Sequence, residues 1–241
     1  MRHDGDSGTS QPYCLEISVD GVEAAVAAMR GGAQRIELCS NAREGGTTPS
    51  SQLLHAVRER VALPIFIMVR PRRGNFSYSD KEFATMRDDI ESAKRFHIDG
   101  VVLGLLNGCG QVDIDRTRQL AEHANPLPVT FHRAFDECAD LSGSLEDVIK
   151  TGAARLLTSG GKRTAPEALD VLGNLVRQAG DRITVMPGSG LHAGNIRKAV
   201  LMTGAREYHA GLSSVVSCPE KNPSAFEQEV RKLAAALGSR D

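Results

Sequence analysis

The segment Thr130-Phe-His-Arg-Ala-Phe-Asp136 gathers an imidazole, a guanidinium and a carboxylate within a few residues. That combination suits general acid–base work, with His132 and Asp136 carrying protons and Arg133 holding negative charge. Arg70 and Arg72, in Arg70-Pro-Arg72-Arg73, add planar donors that match a carboxylate or phosphate. The competing reading of that run is a solvated charged face. Two glycine-rich turns, Thr158-Ser159-Gly160-Gly161 and Pro187-Gly188-Ser189-Gly190, offer backbone amides for an anion nest through Ser159, Gly160, Gly188 and Ser189. Glu16, Glu37, Cys39 and His209 lie inside short aliphatic runs, where ionisable groups are costly unless they meet a partner, water or a ligand.

The elements that must position these groups alternate along the chain. Short aliphatic runs are predicted as strands over Tyr13 to Val19, Arg35 to Ser40, Pro64 to Arg70, Gly100 to Leu106, Pro128 to Phe135, Arg155 to Ser159, Ile183 to Gly188 and Glu207 to Leu212. Amphipathic segments separate them, with start signals at Pro49-Ser-Ser, at the capping box Ser79-Asp-Lys-Glu82 and at Asp113. Gly31-Gly32-Ala33, Gly152-Ala153 and Gly204-Ala205 read as helix ends leading into the next strand. Eight βα units without a linker predict one (β/α)8 TIM barrel over residues 13–241, preceded by a disordered tail at residues 1–12. An open doubly wound sheet is the alternative, but no Gly-x-Gly-x-x-Gly turn follows the first strand.

Because successive strand residues face opposite sides, parity assigns the interior. Leu15, Ile17, Val19, Ile36 and Leu38 pack on helices. Cys14, Glu16 and Ser18, then Arg35, Glu37 and Cys39, face the barrel axis with Arg70, His132 and His209. A structural network of Glu16 and Glu37 with Arg70 competes with a functional reading of the same groups. A lone histidine such as His209 is more often a satisfied core residue.

Composition narrows the function classes. A formal net charge of -1 leaves no excess positive charge to draw the chain onto nucleic acid or an acidic membrane. No apolar run approaches the ~18 residues of a membrane span. Residues 1–12 contain no apolar core of a secretory leader. The five cysteines are too sparse for a zinc ribbon or a disulfide framework, so free thiols and a cytoplasmic location are expected. Cys109, Cys138 and Cys218 read as surface thiols.

Several motifs together resemble the CutC family of copper homeostasis proteins: Glu16-Ile-Ser-Val-Asp, Gly31-Gly-Ala-Gln-Arg-Ile-Glu-Leu-Cys-Ser40, Glu44-Gly-Gly-Thr-Thr-Pro-Ser50, Met68-Val-Arg-Pro-Arg72, Phe76-Ser-Tyr-Ser-Asp80, Thr130-Phe-His-Arg-Ala-Phe-Asp136, Leu157-Thr-Ser-Gly-Gly161 and Val185-Met-Pro-Gly-Ser-Gly190. The resemblance implies a TIM barrel, self-association as a dimer or tetramer, a cytoplasmic location and binding of monovalent copper. Its ligand positions correspond to Ser18 and Cys39, of which only Cys39 is a thiol here, and a cysteine often found beside the last-strand histidine corresponds to Ala210. Monovalent copper prefers thiolate and thioether, and imidazole is acceptable, so Cys39 and His209 are the metal candidates. Cys14 shares the parity of Ser18 but lies about 13 Å further down the strand.

Two functions follow. One is copper handling through Cys39 with help from histidine or methionine. The other is an enzyme acting on a small anionic metabolite, with Arg70 and Arg72 binding charge and Glu37, His132 or Asp136 transferring protons. Nucleophilic catalysis by Cys39 would need a nearby cation to lower its pKa. A purely scaffolding role would not need so many inward ionisable groups.

Overall fold

The computed structural model describes residues 13–212 and 214–238. The segment 1–12, expected above to be a tail, lies outside the described residues. Eight strands alternate with eight α-helices: β1 (Cys14–Val19), α1 (Val22–Gly31), β2 (Arg35–Leu38), α2 (Ser51–Arg60), β3 (Ile65–Met68), α3 (Asp80–Arg95), β4 (Gly100–Leu103), α4 (Ile114–Ala124), β5 (Val129–Phe131), α5 (Leu141–Lys150), β6 (Arg155–Thr158), α6 (Leu169–Ala179), β7 (Thr184–Pro187), α7 (Ile196–Thr203), β8 (Glu207–Ala210) and α8 (Pro223–Gly238). All sheet pairings are parallel in the order β7-β6-β5-β4-β3-β2-β1-β8. A parallel bridge between Gly188 and His209 joins the ends of that sheet, closing the ring. The fold is a (β/α)8 TIM barrel.

Local chemistry explains the helix boundaries. The side chains of Ser50 and Asp113 accept from Leu53 N and Arg116 N, and Ser79 with Glu82 completes the capping box, so each satisfies a backbone donor that the first turn leaves open. Gly32 and Gly204 end α1 and α7 with φ of 99° and 66°, a conformation that favours glycine.

The strands are shorter than the aliphatic runs suggested. The expected third strand reached Arg70 but the ladder ends at Met68, and the expected fifth reached Phe135 but ends at Phe131. Both departures have a cause in polar side chains. Arg70 turns its guanidinium to loop carbonyls, while His132 accepts a hydrogen bond from Ala134 N through Nδ1 (3.2 Å) and starts a 3-10 turn over Arg133–Glu137.

Two separate apolar regions follow from strand parity. Leu15, Ile17, Ile36, Leu38, Ile65 and Ile67 join the layer between sheet and helices. Inside the ring, Cys39, Phe66, Met68 and Val102 form a smaller cluster. Such a barrel interior is packed with side chains, leaving space at the strand ends.

Candidate functional site

Polar side chains fill the interior in levels. At the amino-terminal side, Arg35 pairs with Glu16 and with Glu207, and Arg155 pairs with Glu207 at 3.0 Å. Both guanidinium groups lie over the Phe66 ring, at 4.9 and 5.0 Å from its centroid. Glu16 and Arg35 are buried and Arg155 and Glu207 half-buried, and their ion pairing is what lets charges persist in such an interior.

One level higher, His209 Nδ1 donates to Glu16 Oε1 at 2.8 Å, and its Nε2 lies 3.7 Å from Glu37 Oε2. Burial pushes the Glu16 carboxyl up, but the His209 hydrogen bond and the Arg35 charge outweigh it and lower its pKa to about 2. Burial alone would lower the His209 pKa; the Glu37 charge and the Glu16 hydrogen bond reverse it to a raised value. Glu37 is pushed up by burial. Among the described residues, Glu16, Glu37 and His209 form a group whose potential metal-ligand atoms lie within 4.8 Å of one another. Glu16 is nevertheless committed, with one oxygen on Arg35 and the other on His209. The donors left over are His209 Nε2 and Glu37.

Above them opens a cavity of about 1130 Å³ at the carboxyl ends of the strands, lined in part by Ser18, Glu37, Cys39, Met68, His132 and His209. Cys39 Sγ lies 3.8 Å from Ser18 Oγ and 3.7 Å from Val19 O. Burial pushes its thiol pKa well up, and the Glu37 charge adds to that. The condition for a cation-activated nucleophile is therefore not met, since the first neighbouring charge acting on the thiol is negative. Gly46 approaches so closely that a Cβ there would meet Met68 Cε at 3.2 Å and Cys39 Sγ at 3.4 Å. Two soft sulfur side chains thus converge on one point of the cavity wall. Met68 shares the parity of Arg70, so the same alternation along the strand directs it inward.

On the far wall, His132 is 4 % exposed and its ring packs against Phe76 at 4.9 Å. Gly104 makes room for it: a Cβ there would sit 2.5 Å from His132 Nδ1. Since Nδ1 accepts from Ala134 N–H, the ring proton of the neutral imidazole belongs on Nε2, which has no hydrogen-bond partner. Burial, reinforced by the Arg70 and Arg133 charges, lowers the His132 pKa to about 3. Glu37 Oε1 is likewise buried without a partner.

Other candidates have definite structural tasks. Arg70 does not join a network with the glutamates; it donates to Gly45 O, Gly46 O and Gly74 O at 2.8 to 3.1 Å and stacks over Phe76 at 4.6 Å. Arg72 points away from the cavity, pairs with Glu82, donates to Ser77 O at 2.7 Å and lies over Tyr78. Asp136 takes hydrogen bonds from Arg133 Nε, Thr158 Oγ1, Ser159 N, Ser159 Oγ and Gly161 N. The amide nest after β6 is therefore filled by the protein's own carboxylate. Gly160 N donates to Thr158 Oγ1, and Gly188 N to Thr158 O. Ser189, with φ of 76°, places its hydroxyl on Arg163 O. Ala210 packs in the layer under the helices beside Ile17, so its side chain faces away from the cavity. Cys138 is buried, not a surface thiol, whereas Cys109 is exposed.

The family model for CutC matches residues 13–214. The chain belongs to the CutC family. It is 45% identical over 210 residues to the human copper homeostasis protein cutC homolog, covering 87% of this chain and 77% of that protein. A family protein CutC from Chromobacterium violaceum is 48% identical over 203 residues, covering 84% of this chain and 82% of its own length. The crystal structure of CutC from Streptococcus agalactiae superposes with a TM-score of 0.77 at 30% identity, covering 82% of this chain and 98% of the other. The CutC match thus spans all eight strands and the cavity they surround.

Proposed function

We propose that this chain handles copper, taking up the monovalent ion as cargo at the cavity and working in the cytoplasm as a self-associating protein. The observation that carries the reading is the convergence of Cys39 Sγ and the Met68 thioether methyl on Gly46 at the cavity wall. Thiolate and thioether suit monovalent copper, and the Nε2 of His209 supplies a borderline donor from the adjacent wall. The Ser18 hydroxyl next to Cys39 is a hard oxygen and a poor ligand for that ion, so the sulfur pair bears the affinity. Ala210 removes nothing from this set, because its position faces the helices.

Uptake also matches the acid–base state of the pocket. The raised Cys39 pKa keeps the free thiol protonated, so binding a soft cation must displace that proton, and affinity should rise with pH. A reducing compartment keeps the thiol available. The human relative is named a copper homeostasis protein homolog, which agrees with this assignment. Self-association is supported by Leu201 and Met202 on α7 and Val171 on α6, apolar side chains that face solvent, with Leu201 76 % exposed.

The test is a titration of reduced protein with monovalent copper against a chelating competitor. Wild type should compete at one ion per chain, Cys39→Ser should lose the tight phase, and Met68→Leu should weaken it. Failure of wild type to compete removes copper from the account.

A further inference from the structure

Copper on the sulfur pair would leave two features of the cavity unexplained. His132 presents an Nε2–H donor without a partner, and Glu37 presents Oε1 without a partner; both atoms are buried. Buried polar atoms without a partner are costly to keep, and these two belong to side chains that line one cavity. A soft cation does not relieve either cost. The His132 ring nitrogen carries its proton because Nδ1 is occupied by Ala134 N–H, so it offers a hydrogen and no lone pair. A carboxylate oxygen is a hard donor that monovalent copper does not seek.

The two atoms need different halves of one organic ligand. His132 Nε2–H calls for an oxygen acceptor, and Glu37 Oε1 calls for a hydroxyl. The ring is held in place by Phe76 at 4.9 Å and by the missing side chain at Gly104, so the donor direction is built into the fold. β2 carries Glu37 and His132 directly follows β5, three strands apart around the ring, so a ligand must bridge the cavity to touch both. Lys162 and Arg163, from the loop after β6, line the same cavity, the Arg163 guanidinium being solvent-exposed and 3.9 Å from Glu167. Late βα loops of barrels are where anionic ends of ligands are commonly gripped.

We propose that the cavity binds a small hydroxylated organic anion, a hydroxy acid or its phosphate ester, with an oxygen on His132, a hydroxyl on Glu37 and the anionic end beside Lys162 and Arg163. This site is distinct in chemistry from the sulfur pair, although the two share walls.

Calorimetric titration of copper-free protein with glycerate, phosphoglycerate, glycerol and inorganic phosphate tests it. Glycerate or phosphoglycerate should bind saturably, with glycerol and phosphate at least about tenfold weaker, a difference of about 1.4 kcal/mol. Glu37→Gln and His132→Phe should each weaken the favoured acid about tenfold or more, while the melting temperature of His132→Phe stays level or rises because an unpaired buried donor is gone. Preference for the phosphate ester over the acid identifies the anionic group. Cys39→Ser should bind the acid as wild type does, so loss of copper binding and loss of acid binding are separable results. Saturable binding of neither acid by wild type, or unchanged affinity in His132→Phe, overturns the proposal.

Discussion

His132 illustrates how one side chain links stability to chemistry. Its pKa is about 3 in the folded protein against 6.5 as a free group, so as pH falls the unfolded chain takes up a proton first. Its contribution is thus intact above pH 6.5 and is lost by about 1.4 kcal/mol per pH unit as pH falls toward about 3. The urea midpoint of wild type should fall relative to that of His132→Phe between about pH 7 and about pH 5. A constant gap between the two proteins across that range would refute the assignment. The inward direction of Glu16, Glu37, His132 and His209 was legible from strand parity alone, because the pleat fixes side at every second residue. Their partners were not. Arg70 is matched by three glycine carbonyls, and the backbone carries no signature of which side chain will reach it.

At the level of elements, the loop after β6 shows why a glycine-rich turn misleads. Ser159, Gly160 and Gly161 have the composition of an anion nest, and an anion does sit there, but it comes from the 3-10 turn after β5. Sequence separation of more than twenty residues hides such a contact, since nothing in local pattern distinguishes an internal carboxylate from a ligand. Asp136→Asn should cost about 2 kcal/mol by turning an amide NH2 toward donors that now lack an acceptor. The loss should be visible as faster amide hydrogen exchange at Ser159 and Gly161, with the β1 to β4 half unaffected. Helix starts fared better, because Ser50, Ser79 and Asp113 act on backbone groups within the next few residues.

For the whole molecule, the eight-unit barrel was readable from repetition, whereas association is not encoded in any repeat. Val171, Leu201 and Met202 mark the α6 and α7 side as the face a second copy would cover. Leu201→Glu should shift the protein to monomer in sedimentation at fixed concentration while leaving copper binding unchanged, since the cavity lies at the strand ends. An oligomer that survives the substitution places the contact elsewhere. The paired charges of Arg35, Arg155, Glu16 and Glu207 around Phe66 bear on traffic as well as stability. They fill the barrel interior beneath the cavity that opens at the carboxyl ends of the strands. Under the copper-handling role proposed above, the ion enters and leaves by the rim at the strand ends, so a molecule receiving it would dock over that rim.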